Sequence, residues 1–301
     1  MEETKNDGVP SLDSAYRKLS PLTVPKQGRF QKAEPIGLSA LIASPERKKI
    51  HVEDVNREAE GLYLREMAML RNFSDIEGVP RLEEGRVVDV DSETGLKRYE
   101  IEMEKVEGKT LRELRLTPEN AVMILHRVGE IAGKIFGKGY IYNDFKPENI
   151  MISEEQGKTK VWLIDFNTTQ EHVNGKIESH SGTRTYAPPE KFKPDGIVDA
   201  RSDIYSLTAV IAERMGATLA DTFFTSGNKS PEIARRYEVD SLAQIIMPDK
   251  LRVFLVWNLS PDPGYRCQDW SEFLVYLGLV NDVNVSADEF YDKISSRPSV
   301  P

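Results

Sequence analysis

The spacing of apolar positions changes several times along the chain, and each change marks an element. Residues 1 to about 28 show little period and carry Gly8, Pro10, Pro21, Pro25 and Gly28, which predicts an irregular lead-in. From Arg29 to Val55 the pattern is short and strand-like: ALIA (40–43) and KIHV (49–52) flank SPERK, a polar turn containing Pro45. EAEGLYLREMAMLRNF (58–73) shifts to helical spacing and sets Leu62, Met69 and Phe73, with Glu66 and Leu70 nearby, on one side of about four turns. Two alternating strands follow, RVVDVD (86–91) and RYEIEME (98–104), about a SETG turn at 92–95. Beyond KVEGKT (105–110) the chain becomes helical. Pro118 stands at a helix start, and AVMILHRVGEIAGKIFGKG (121–139) closes on Gly137 and Gly139. Strands with one helix, a glycine-containing connector and then a mainly helical piece predict an α+β fold in two lobes. Residues 283–301 end in SSRPSVP and are expected to fray.

Composition narrows the class. The 301 residues are 39% hydrophobic and 30% charged, as in an ordinary globular chain. A fold of this length buries roughly 75% of its unfolded surface, so neither disulfides nor a structural metal are needed. The net charge of −9 opposes general affinity for nucleic acid or anionic membrane, though not a local basic groove. Cys267 is the single cysteine, which excludes an intrachain disulfide and fits a reducing compartment; it reads as a small buried hydrophobe. His51, His126, His172 and His180 have no ligand spacing, so no zinc site is expected. No stretch approaches the ~18 apolar residues of a membrane helix. The N-terminus has acids and a proline where a signal peptide has bases and an apolar run. A cytoplasmic protein without membrane insertion is the expectation.

The densest chemistry lies in IYNDFKPENIMI (141–152) and VWLIDFN (161–167). Asp144, Lys146 and Asn149 fall within six residues, and Pro147 forbids a regular helix through them. Apolar runs on both sides make this a strand–loop–strand that points an acid, a base and an amide into one volume. The run WLIDF ends a strand on a second acid, Asp165. Two carboxylates and an amide are oxygen ligands suited to Mg²⁺, which prefers carboxylates together with substrate phosphates. A spare carboxylate beside them can take a proton from a hydroxyl.

These residues carry a resemblance. YNDFKPEN (142–149) resembles the D-x-K-x-x-N catalytic loop of the protein kinase family, and DFN (165–167) its D-F-G. SGTRTYAPPE (181–190) is similar to the end of the family's activation segment, RSDIYSLTAVIAERM (201–215) to the helix after it, and LSPDPGYR (259–266) to the late D-P-x-x-R. EIEMEKVEGKTLREL (100–114) looks like the last small-lobe strand and the hinge, so the likeness spans roughly residues 34 to 280 in the family's order. The wording is most similar to eukaryotic-type Ser/Thr kinases of bacteria or archaea. The resemblance implies a bilobal fold: an irregular extension 1–28, a small antiparallel-sheet lobe with one main helix over 29–107, a larger mainly helical lobe over 108–282, and a tail 283–301.

It also implies roles. Asp144 would be the catalytic base, Lys146 would neutralise charge on the γ-phosphate, and Thr183 would bond both. Asn149 and Asp165 would hold Mg²⁺, with Mn²⁺ as a substitute ion, and so help bind ATP. Met103 would be the gatekeeper, and Glu104 to Val106 the hinge facing adenine. Glu66 would be the helix glutamate. Glu190 would pair with Arg266, Asp203 would accept backbone N–H bonds from the catalytic loop, and Tyr142, Phe166 and Leu70 would stack as a hydrophobic column.

The small lobe departs from the family's pattern. The candidate phosphate loop PIGLSALIA (35–43) has one glycine, Gly37, with Ser39 and Ala40 where more glycines are expected. Alignment of IHVE (50–53) to the family's lysine strand puts Glu53 in the lysine slot, where a carboxylate would repel phosphates. Three readings stay open: Lys49 reaches inward in a shifted register, Lys32 substitutes, or nucleotide binds poorly. Asn143 stands where many kinases have an arginine that receives an activation-loop phosphate, so activity is not expected to require one. The implied function is ATP- and Mg²⁺-dependent phosphoryl transfer to protein Ser/Thr hydroxyls. The alternative is a pseudokinase that presents a surface to a regulatory protein partner. A metabolite kinase is opposed by GTRTYAPPE, a peptide-docking element in the family, and a nucleic-acid binder by the negative charge.

Overall fold

The computed structural model describes residues 50–52, 57–90, 97–177, 183–193, 196–218 and 241–297. The expectations placed on the lead-in 1–28, Lys32, Gly37, Ser39, ALIA (40–43), Lys49 and Glu53 lie outside the described residues.

The first lobe is an antiparallel sheet with a helix. β1 (Ile50–Val52), β2 (Leu82–Val90) and β3 (Lys97–Met103) stand in the order β1-β3-β2, with Ile50 opposite Ile101, Val52 opposite Tyr99 and Leu82 opposite Met103. Helix α1 (Arg57–Asn72) buries Glu66, Met67, Met69 and Leu70, and Phe73 follows at its end, a stripe at the i, i+3, i+4, i+7 spacing of one helix face. Gly78 then turns the chain at φ 92°, where a Cβ would lie 2.5 Å from Ile131 Cδ1, and its carbonyl accepts from Leu163 N at 2.8 Å. The two lobes meet closely there because no side chain intervenes.

The connector leads to β4 (Lys109–Thr110), which pairs with the hairpin β6 (Ile150–Glu155) and β7 (Lys158–Leu163). Gly108 lets β4 approach: a Cβ on it would stand 2.1 Å from the Ile152 carbonyl oxygen. The hairpin turns on Gln156 and Gly157, both at positive φ, the geometry of a two-residue type I′ turn. β5 (Tyr140–Ile141) pairs with β8 (Gln170–Glu171) and so flanks the loop before β6.

Among the described residues, five α-helices build the second lobe. α2 (Pro118–Gly137) starts at the Thr117 cap with Pro118 in the first turn, as the sequence predicts. α3 (Ala200–Met215) is capped by Asp199, ends on left-handed Gly216, and is buried over almost its whole length. Around it stand α4 (Asp249–Asn258), α5 (Trp270–Asn281) and α6 (Ala287–Ser295). The expectation that 283–301 frays is corrected by α6. Ser286 and Glu289 form a capping box, and Phe290 and Ile294, four residues apart, are buried against the core. Arg297, just beyond, lies over the Trp257 ring and ion-pairs with Glu272. Rings connect this end to the loop of interest: Phe145 meets Trp270, Trp270 meets Phe273, and Tyr276 meets Phe290. Among the described residues no helix is long and apolar enough to cross a membrane.

Candidate active site

The site is the loop between β5 and β6, and backbone hydrogen bonds set its shape. Asp203, in the first turn of α3, accepts from Tyr142 N at 3.0 Å and from Asn143 N at 2.9 Å. Asn143 takes φ 75°, a region that Asn enters more readily than most residues. The Thr169 hydroxyl donates to the Tyr142 carbonyl at 3.3 Å. Pro147 interrupts the loop as expected, and the chain passes through a single 3₁₀ turn, Pro147–Asn149, into β6.

Asp144 is buried, and every side chain named for it in the sequence comes to its carboxylate. Thr183 donates from both its backbone N and its hydroxyl to Oδ1, each at 2.7 Å. Lys146 Nζ reaches Oδ2 at 2.8 Å. Asn149 Nδ2 stands 3.1 Å from the Asp144 carbonyl and 3.4 Å from Oδ2. Asp165 Oδ2 lies 3.7 Å from the same lysine nitrogen, so one cation spans both acids. Burial alone would lower the Lys146 pKa; the hydrogen bond and charge of Asp144, with Asp165 and Glu148, outweigh it and raise it. The site therefore keeps a fixed positive charge between two carboxylates.

Asp165 owes its position to two tethers. β7 ends at Leu163, two residues earlier than the strand read from WLIDF, and Ile164 N then bonds the Asn149 carbonyl at 3.0 Å. Asp165 itself adopts φ 65°, which turns the chain sharply, and Phe166 N donates to Glu66 Oε2 at 2.7 Å. Glu66 of α1 thus reaches across to the acid-bearing turn. The Tyr142 hydroxyl donates to the Ile164 carbonyl at 2.5 Å; burial, then the charges of Asp165 and Asp144, push its pKa well above the usual value, so it stays a neutral donor. Phe166 stacks edge-on with Tyr142 at 5.6 Å and with Phe73 at 5.4 Å. Leu70, named for this column from the sequence, is buried in the same core cluster as Tyr142, Phe73 and Phe166, and the Phe73 ring meets Phe166 beside it.

The segment carrying Thr183 is braced from below. Arg266, fully buried, forks onto Glu190 at 2.6 and 2.9 Å, and the Ser202 hydroxyl donates to Glu190 Oε1 at 2.7 Å. At the opposite edge Met103 ends β3 against the core, while Glu104 exchanges a backbone bond with Arg81 at 2.8 Å and accepts from Arg81 N through its side chain at 3.2 Å. Glu104 thus ties the end of β3 to the start of β2, and Val106 is half-buried beyond it. Sequence reasoning placed Phe73 on the apolar helix face but missed Lys191, which follows Glu190 with no pattern that would announce it.

The donors fit a shared ion better than a closed cage. Among the described residues no three His, Cys, Asp or Glu gather to hold a metal. Asn149 and Asp165 are hard oxygen donors, the kind Mg²⁺ accepts when phosphates complete its shell.

Comparison with known proteins matches residues 46–269 to the family described as "Protein kinase domain". Among curated relatives, the chain is 36% identical over 121 residues to "Serine/threonine-protein kinase PknL" of Mycobacterium tuberculosis, covering 37% of this chain and 29% of that protein. It is 25% identical over 226 residues to "Serine/threonine-protein kinase PknH" of Mycobacterium bovis, covering 71% of this chain and 35% of that protein. It is 34% identical over 123 residues to "Serine/threonine-protein kinase PknB" of Mycobacterium tuberculosis, covering 38% and 19%. The region shared is thus about a third or less of each relative's length.

Proposed function

The chain belongs to the protein kinase family, and from that premise we propose that it transfers the γ-phosphoryl group of ATP, with Mg²⁺, to Ser or Thr hydroxyls of protein substrates. The observation that carries this reading is the Asp144 carboxylate held by Thr183, Lys146 and Asn149 within one lysine's reach of Asp165.

In this reading Asp144 orients the acceptor hydroxyl and takes its proton as the new P–O bond forms. Thr183 and Lys146 keep the carboxylate from rotating away. Lys146 presents its ammonium to the transferred phosphoryl group, whose charge it offsets in the water-poor cleft. Asn149 and Asp165 would hold Mg²⁺, which supplies charge neutralisation on the phosphates. Met103, Glu104 and Val106 would line the adenine end, and Gly37 and Ser39 the phosphate loop. Ile50 pairs with Ile101, two residues before Met103, whereas Val52 pairs with Tyr99. Lys49, the residue before β1 in the chain, would supply the basic group near phosphate and a partner for Glu66. The unit 29–107 would act as the small lobe and 108–282 as the large one. We place the reaction in the cytoplasm, where the lone buried thiol of Cys267 stays reduced.

The test is transfer of label from γ-labelled ATP to a generic basic protein, with Mg²⁺ and with Mn²⁺, by the chain and by Asp144→Asn. The reading expects a fall of roughly 10²–10⁴-fold in the variant with its melting temperature kept. Equal labelling by both would remove Asp144 from the chemistry. No transfer, together with no change in melting temperature in millimolar Mg·ATP, would favour the pseudokinase that the Glu53 alignment suggests.

A further inference from the structure

Lys191 lies in the short turn Pro189–Phe192 and is only 4% exposed. An ammonium so deep is costly to keep without partners, and a filler of that volume would more simply be methionine. Its Nζ donates to the Asn143 carbonyl at 2.7 Å. Burial holds its pKa below the usual lysine value, and the charges of Asp203, Asp144 and Glu190 oppose that only in part. Asn143 is therefore gripped on both sides of its peptide: the N–H by Asp203 Oδ1 at 2.9 Å, the C=O by Lys191. Its side-chain Nδ2 also stands 3.4 Å from the Thr168 carbonyl. The residue held this firmly is at φ 75°, a conformation that relaxes unless its surroundings fix it, and its next neighbour is Asp144.

Two contacts from one segment thus converge on one carboxylate. Thr183 binds Asp144 itself, and Lys191, eight residues on, binds the peptide from which Asp144 hangs. Glu190, adjacent to Lys191, anchors that segment to Arg266. We propose that Lys191 is a positioning residue: a cation built into the segment that, once the segment folds, locks the Asn143 peptide and with it the aim of Asp144. This rests on the phosphotransfer reading for its catalytic consequence, but its structural half stands by itself.

The experiment compares wild type with Lys191→Met, which keeps length and volume and loses the donor. Three quantities are read: melting temperature, kcat and KM for ATP, and hydrogen exchange of peptides covering 139–150. We expect melting within a few degrees of wild type and KM for ATP within about twofold. We expect kcat down by about 10- to 100-fold, the scale of a misplaced reacting group, and faster exchange across the loop. A filler would move none of kcat, KM or loop exchange; unchanged kcat and unchanged exchange would overturn the proposal. If Lys191→Met does not fold, Lys191→Leu, which also lacks a donor, is judged by the same outcomes. A wild-type chain without transfer activity would count against the phosphotransfer reading alone, and loop exchange in the variant would still decide what Lys191 does.

Discussion

Replacing Arg266 by methionine removes five hydrogen bonds and leaves the volume nearly unchanged. The guanidinium donates to Glu190 at both oxygens, to the carbonyls of Ser260 at 2.7 Å, Arg201 at 3.1 Å and Pro261 at 3.2 Å, and lies over the Tyr205 ring at 4.7 Å. In the variant the Glu190 carboxylate stays buried with the Ser202 hydroxyl as its side-chain donor. Breaking a buried pair from one side costs about 3–5 kcal/mol. At roughly 2–4 °C per kcal/mol for a fold of 150–250 residues, melting should fall by about 10 °C. The pH dependence gives a second handle. Burial works to raise Glu190, but the charge and hydrogen bonds of Arg266, with Ser202, outweigh it and hold the carboxyl below its ordinary 4.5. In wild type that contribution is present at neutral pH and is lost as pH falls through the depressed value. In Arg266→Met burial dominates, Glu190 is raised, and acid relieves the variant. The gap between the two proteins, read from urea denaturation at pH 7 and about pH 5, should therefore narrow toward acid. A loss below about 1 kcal/mol at pH 7, or a gap that widens on acidification, would refute this account of the pair.

Two further predictions concern Asp203 and the C-terminal helix. Burial lifts Asp203 to about 6, against the charge of Lys191 and the N–H bonds from Asn143 and Tyr142. A raised acid favours folding at low pH, and that contribution fades as pH rises from about 4 to about 6, while the ionised form is the one that accepts from both amides. The phosphotransfer rate should consequently drop as pH falls through about 6; the same acid limb in Asp203→Asn would assign it to another group. Phe290→Ala should cost about 3–5 kcal/mol in denaturant titration because the ring is wholly buried, and a loss under 1 kcal/mol would mean that α6 does not dock as described.

Much of this arrangement was legible because short-range chemistry dictated it. Pro147 forced a turn between an apolar strand on either side, so Asp144, Lys146 and Asn149 had to share a small volume, and Pro118 announced a helix start. What escaped had no local signature. The turn after the left-handed Asp165 is tied down by Glu66, which accepts from Phe166 N a hundred residues along the chain. That the Phe73 ring meets Phe166 is set by an approach from 93 residues further on, which the helix stripe alone does not show. Lys191 reads as surface until its partner, 48 residues earlier, is known. The final helix was missed for a different reason: the SSRPSVP ending was read as fraying, although Ser286 and Glu289 upstream of it spell a capping box.

Helix α3 packs against α2, α4 and α5. Asp203 supports the loop, Ser202 and the Arg201 carbonyl support the Glu190–Arg266 fork, and Arg214 reaches the carbonyls of Leu111 and Arg112. Arg201, Glu213 and Met215 are the positions along it that escape burial. A rod sealed on all sides has no outer surface on which descent can experiment, so change along it must arrive as matched pairs, and novelty among descendants will collect at the rim instead.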